Sequence, residues 1–227
     1  MFERVTLIAL LAIAPLSQAA TFTTLALPTL NTDIRTFTDG AVYNPLFPGT
    51  STFNSVLFQL SADANGNTAF ARGVLDIAVG AFGVTQAYTL INSGFGAFGS
   101  NNGSVEFFGS NSSYYKVDLI QGLNIRDHYD GFFNNTIDNV TAVAAFNVGP
   151  GHARLDEQIY NLPVVFGNET LNTIRFTSLD LGGAGVPFIV AATVSVKAVG
   201  AVPEPETYAL MLGGLGLIGW MQRRCRA

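Results

Sequence analysis

Between Ser55 and Val199 the chain alternates apolar and polar residues in short runs, broken roughly every ten residues by glycine, asparagine or aspartate. A period of two places alternate side chains on opposite faces of a strand, whereas a helix needs a period near 3.6. Ser55–Ser61 puts Val56, Phe58 and Leu60 on one face. Leu171–Leu179 sets Ile174, Phe176 and Ser178 against Thr173, Arg175 and Thr177. Ser104–Gly109 and Tyr114–Leu119, joined by Ser110-Asn111-Ser112-Ser113, form the clearest hairpin. Pro187–Val199 is the last strand, and Ser93–Gly103 reads as a long glycine-rich loop. No long stretch before Thr207 carries the helical period. The pattern predicts an all-β fold, an antiparallel β-sandwich of jelly-roll type, over residues 21–201.

Composition narrows what such a sandwich can do. Residues 21–201 hold seven basic and thirteen acidic side chains, a net charge of −6. An acidic, lysine-poor surface argues against nucleic acid as a partner. The single cysteine, Cys225, lies near the C-terminus, so the body has no disulfide and rests on packing or ions. Of the aromatic residues, Tyr88, Phe107 and Phe176 are expected in the core. Phe95, Phe98, Tyr114, Tyr129, Phe132 and Phe133 fall in or beside loops, where rings either cap a sandwich or present a stacking face.

The two ends read differently from the body. Residues 1–20 combine Arg4, an apolar run and the small residues Ser17, Ala19 and Ala20, the pattern of a secretory signal peptide. Residues 202–227 have three parts. Val202, Pro203, Glu204 and Pro205 form a short polar motif held extended by its prolines. An uncharged run follows, with Tyr208, Leu210, Leu212, Leu215, Leu217, Ile218 and Trp220 as its large members, and it is expected to form a C-terminal transmembrane helix. Arg223, Arg224 and Arg226 close it as a stop-transfer cluster on the cytoplasmic side. This order resembles the PEP-CTERM sorting signal of exported proteins in Gram-negative bacteria that make exopolysaccharide. The resemblance implies exosortase as a partner that reads Pro203-Glu204-Pro205, transient anchoring in the inner membrane, and delivery to the cell surface or extracellular matrix.

For the body, the chemistry concentrates in Arg126-Asp127-His128-Tyr129-Asp130, a charged cluster in a nearly uncharged chain. Three readings are open. The cluster is a sugar-binding loop, a calcium loop using Asp127 and Asp130 with Asn134 or Asn135, or a structural knot in which Arg126 pairs with an acid. His128 and His152 lack metal-ligand spacing, and no nucleophile elbow, phosphate loop or cofactor fingerprint is present. Asp156 and Glu157 are neighbours, expected on opposite faces of a strand as surface acids. No catalytic residue, metal ligand or cofactor is assigned. The expected role is non-enzymatic, structural or carbohydrate-binding, in the exopolysaccharide matrix. The alternatives are a polysaccharide hydrolase, which needs two facing carboxylates, and a calcium-stabilised adhesin.

Overall fold

The structure, a computed structural model, describes residues 21–131, 133–196, 212–215, 221 and 224. It divides into two units, Ala20–Lys197 and a second made of residues 1–19 and 198–227. The first is all-β, with antiparallel sheets.

Six strands make the larger sheet: β1 (Thr21–Leu25), β4 (Phe70–Ala71), β6 (Val84–Gly94), β9 (Ala142–Asn147), β10 (Arg154–Asn161) and β12 (Val186–Val196). Their order is β1-β12-β6-β10-β9, with β4 on the edge of β12 at Phe188 and Ile189. Four strands make the second sheet: β5 (Gly73–Phe82), β7 (Asn101–Gly109), β8 (Tyr114–Ile120) and β11 (Thr170–Ser178), in the order β5-β11-β7-β8. A separate hairpin joins β2 (Gly49–Phe53) to β3 (Val56–Leu60).

Two cores hold these layers. One lies between the sheets, where Leu75, Ile77, Phe107, Ile174 and Phe176 meet Val84, Ile91, Ile189 and Val194. The other covers the opposite face of the six-stranded sheet, where Tyr88, Leu90, Leu155, Phe188 and Val190 pack on Val56, Phe58, Leu60, Ile34 and Tyr43. Each large side chain removed from water stabilises the fold by about 1.5–3 kcal/mol. The middle strands β6 and β12 are therefore buried on both faces along nearly their whole length. That is why Val186–Val196 reads as a continuous apolar run without alternation.

Several expectations need correction. Two layers were expected, and the N-terminal part supplies a third through the β2–β3 hairpin and the 3-10 segments Ile34–Thr36 and Gly40–Leu46. The loop expected over Ser93–Gly103 is short, because β6 runs to Gly94 and β7 begins at Asn101. Asp156 and Glu157 do point to opposite faces, but neither is a surface acid. Asp156 is fully buried and Glu157 is 1% exposed, because both faces of β10 are covered.

At the C-terminus, residues 212–215, Met221 and Arg224 are helical, and Leu212 and Leu215 are exposed. Among the described residues no helix is long and apolar enough to cross a membrane. Residues 1–20, the motif Val202–Pro205, and Tyr208, Leu210, Leu217, Ile218, Trp220, Arg223 and Arg226 lie outside the described residues.

Candidate functional site: an aromatic cleft at one end of the central strands

Where β6 ends and β12 begins, five segments enclose a cleft of about 630 Å³. The end of the 3-10 segment Ile34–Thr36 and the two residues after it bring Thr36, Phe37 and Thr38, and the end of β4 and the next residue bring Ala71 and Arg72. The chain leaving β6 brings Gly94 and Phe95, and β12 brings Val186 and Phe188. The loop after β8 closes it with Asp127, His128, Tyr129 and Phe133. Phe95 and Phe133 are exposed and meet edge to face, with ring centroids 5.0 Å apart. Phe95 and Arg72 both hold positive φ, 65° and 57°, conformations that side chains rarely adopt without constraint from their surroundings.

The cluster Arg126–Asp130 splits between this cleft and its foundations. Arg126 turns into the protein and grips Asp156 with two hydrogen bonds, Nε to Oδ2 at 2.7 Å and Nη2 to Oδ1 at 2.6 Å. Asn92 Nδ2 donates to the same carboxylate at 2.6 Å, and the Asp156 N–H donates to Asn92 Oδ1. Arg126 also donates to the Asn135 carbonyl at 3.0 Å. A second cation, the buried Arg154, donates to the Asp127 carbonyl at 3.2 Å and to the Asn135 side-chain oxygen. Its guanidinium lies 3.5 Å from Asp130. Two arginines thus tie the loop to β10 from beneath, and a bidentate guanidinium fixes orientation as well as distance.

Asp127 and His128 are the buried polar residues of the lining, beside Thr36, Thr38, Arg72 and Tyr129. Burial pushes the Asp127 carboxyl up to about 6, against the pull of the Tyr129, Phe95 and His128 backbone N–H groups and of Arg154. Burial, and then the Arg154 charge, push the His128 imidazole down to about 4, so it is neutral at pH 7. Its ring lies among Phe37, Phe188 and Tyr43, at 5.3, 5.9 and 6.4 Å between centroids. The Tyr43 hydroxyl donates to the Arg154 carbonyl at 2.7 Å and lies 3.4 Å from His128 Nδ1.

The remaining sequence candidates do not converge here. His152 pairs instead with Asp39, Nδ1 to Oδ2 at 3.0 Å, and Asp39 also accepts from the Ala153 N–H at 2.9 Å. Asn134 caps its own turn at Thr136, and Asn135 serves the two arginines. Among the described residues no group of three or more His, Cys, Asp or Glu side chains is placed to hold a metal ion. Sequence reasoning missed Thr36, Phe37, Thr38, Arg72 and Phe188, which reach the cleft from distant segments. It also missed Arg154 as an anchor, although Arg154 lies two residues after His152.

No curated protein matches the chain. Residues 201–226 match the PEP-CTERM protein-sorting motif. The chain thus carries the sorting motif of PEP-CTERM proteins, the motif of exported proteins that exosortase sorts.

Proposed function

We propose that the β-sandwich is a non-enzymatic saccharide-binding module, delivered to the cell surface or exopolysaccharide matrix by its C-terminal signal. The observation that carries this reading is the cleft itself. Rings of Phe37, Phe95, Phe133 and Tyr129 stand beside Thr36, Thr38, Asp127 and His128, and the loop that carries Asp127, His128, Tyr129 and Phe133 is anchored by two arginines. A sugar has one apolar face and a rim of hydroxyls, and such a lining meets both. Binding rather than hydrolysis is supported by the carboxyls available. Among the described residues lining the cleft only Asp127 carries one, and glycosidase chemistry uses two facing each other.

In this reading the signal peptide over residues 1–20 starts export. The run after Pro205 holds the chain in the inner membrane as a helix, Arg223, Arg224 and Arg226 stay on the cytoplasmic side, and exosortase acts at Pro203-Glu204-Pro205. The test is titration with neutral and acidic oligosaccharides, read by the shift in thermal unfolding. Phe95→Ala and Phe133→Ala are expected to weaken binding several-fold each, the scale of one aromatic contact. Affinity unchanged in both, or absent in the wild type, overturns the reading.

A further inference from the structure

The outer face of the four-stranded sheet carries a second set of groups, distinct from the cleft. Strand register lines up Asp76 on β5, Arg175 on β11, Glu106 on β7 and Lys116 on β8. Acid and base alternate along this row. Arg175 donates twice to Asp76, at 2.7 and 2.9 Å, and its guanidinium stands 5.2 Å from the Phe108 ring centroid. Glu106 accepts from the Ser104 and Tyr114 hydroxyls, each at 2.9 Å. Lys116 meets Asp118 at 2.8 Å. One neighbouring row holds Thr177, Ser104 and Asp118, and the other ends in Phe108 and the exposed Tyr114, with rings 5.3 Å apart.

This face is not flat. A depression of about 420 Å³ lies along Ser104, Glu106, Asp118 and Thr177. A register shift between Asn101 and Gly103 re-aims β7 at its edge. Nothing larger than glycine fits at 103, because an added Cβ would fall 2.0 Å from the Thr177 carbonyl oxygen.

The charges decide what suits it. Three acids and two bases share the face, each with a partner, so the surface offers no net pull on a polyanion. A second copy of the chain would have to strip water from the whole charged row, which is costly for ions without new partners. A neutral polyhydroxylated chain meets fixed charged hydrogen-bonding groups, which bind hydroxyls more strongly than neutral ones do. These repeat at the strand spacing of about 4.8 Å, the scale of a sugar ring, with Tyr114 as a stacking face at one end. We propose that this face is a second binding surface, for a neutral linear polysaccharide lying across β11, β7 and β8. It shares with the cleft only the class of ligand.

The experiment is affinity electrophoresis of the full-length chain in detergent micelles, in gels cast with hydroxyethyl cellulose or with alginate. The cellulose gel is expected to retard the wild type strongly, and the cleft variant Phe95→Ala to lose no more than the several-fold that its own contact in the cleft supplies. Ser104→Arg, which fills the depression, and Tyr114→Ala are each expected to weaken retardation about ten-fold, the loss of one good contact. Tyr114→Phe keeps the ring and is expected to run close to wild type, which separates loss of stacking from loss of fold. Alginate is expected to retard none of them. Retardation unchanged in both Ser104→Arg and Tyr114→Ala, retardation lost in Phe95→Ala alone, stronger retardation in alginate, or none in either gel overturns the proposal. So does a concentration-dependent dimer that Ser104→Arg abolishes. The cleft reading is judged separately, by the oligosaccharide titration.

Discussion

Glu157 is a carboxyl on an inner face of the central sheet whose one hydrogen-bond donor among the described residues is Asn54 Nδ2, at 3.3 Å. Burial pushes it up to about 7, against that hydrogen bond. A folded state that holds a proton more tightly than the unfolded chain is stabilised at low pH, and that contribution is lost as pH rises through the folded value. Glu157→Gln is therefore expected to match the wild type in urea unfolding near pH 4.5 and to exceed it at pH 8, by on the order of 1–3 kcal/mol. In the cleft two groups pull in opposite directions. His128, at about 4, weakens the fold as pH falls from its ordinary range toward 4, whereas Asp127, at about 6, weakens it as pH rises toward 6. Between these values their contributions nearly cancel. His128→Gln is expected to expose the Asp127 slope, so that the variant gains stability relative to wild type as the pH of a denaturation series drops from 6 to 4. The Arg126–Asp156 pair ties the loop to β10. Asp156→Ala leaves a guanidinium buried without its partner and is expected to cost about 3–5 kcal/mol, with saccharide binding lost as the 126–133 loop comes free.

At the scale of elements, one wall of the cleft depends on a close turn. A Cβ on Gly40 would fall 2.3 Å from the Ile34 carbonyl oxygen and 2.8 Å from backbone atoms of Arg35, neither of which is a movable side-chain end. Gly40→Ala is expected to shift the 3-10 segment that carries Thr36 and Phe37. Saccharide affinity should then fall further than the loss in unfolding free energy alone would explain. Period-two alternation made the strands of the four-stranded sheet and β3 legible in the sequence, because one face of each meets a core and the other meets water. The rest of the third layer, β2 included, was not legible. Residues 31–48 have no period to read, since they pack through two 3-10 segments and single side chains such as Ile34 and Tyr43. The same omission misplaced Asp156 and Glu157. Adjacency correctly separated their faces, but without a third layer one face had to be water. The loop 126–130 stood out by charge alone, and its split into anchors and cleft residues depends on partners such as Asp156 and Arg154, far along the chain.

At the scale of the molecule, the sorting signal and the sandwich are separate units of sequence. Glu204→Gln is expected to change processing and location while leaving the unfolding of the sandwich untouched. Electrophoretic mobility with cell fractionation reads the first, and urea denaturation the second. β12 links these two concerns. Its first residues, Val186 and Phe188, line the cleft, and its last, Val196, is paired with Thr21, so that the two ends of the folded body emerge side by side. Eleven residues of strand put about 33 Å between those positions. A pull between a polymer held in the cleft and the chain leaving Val196 therefore acts along the axis of β12. The ladders to β6 on one side and to β1 and β4 on the other would bear that load in shear, together, rather than opening one pair at a time. The most deeply buried strand of the protein is in this sense its tension member.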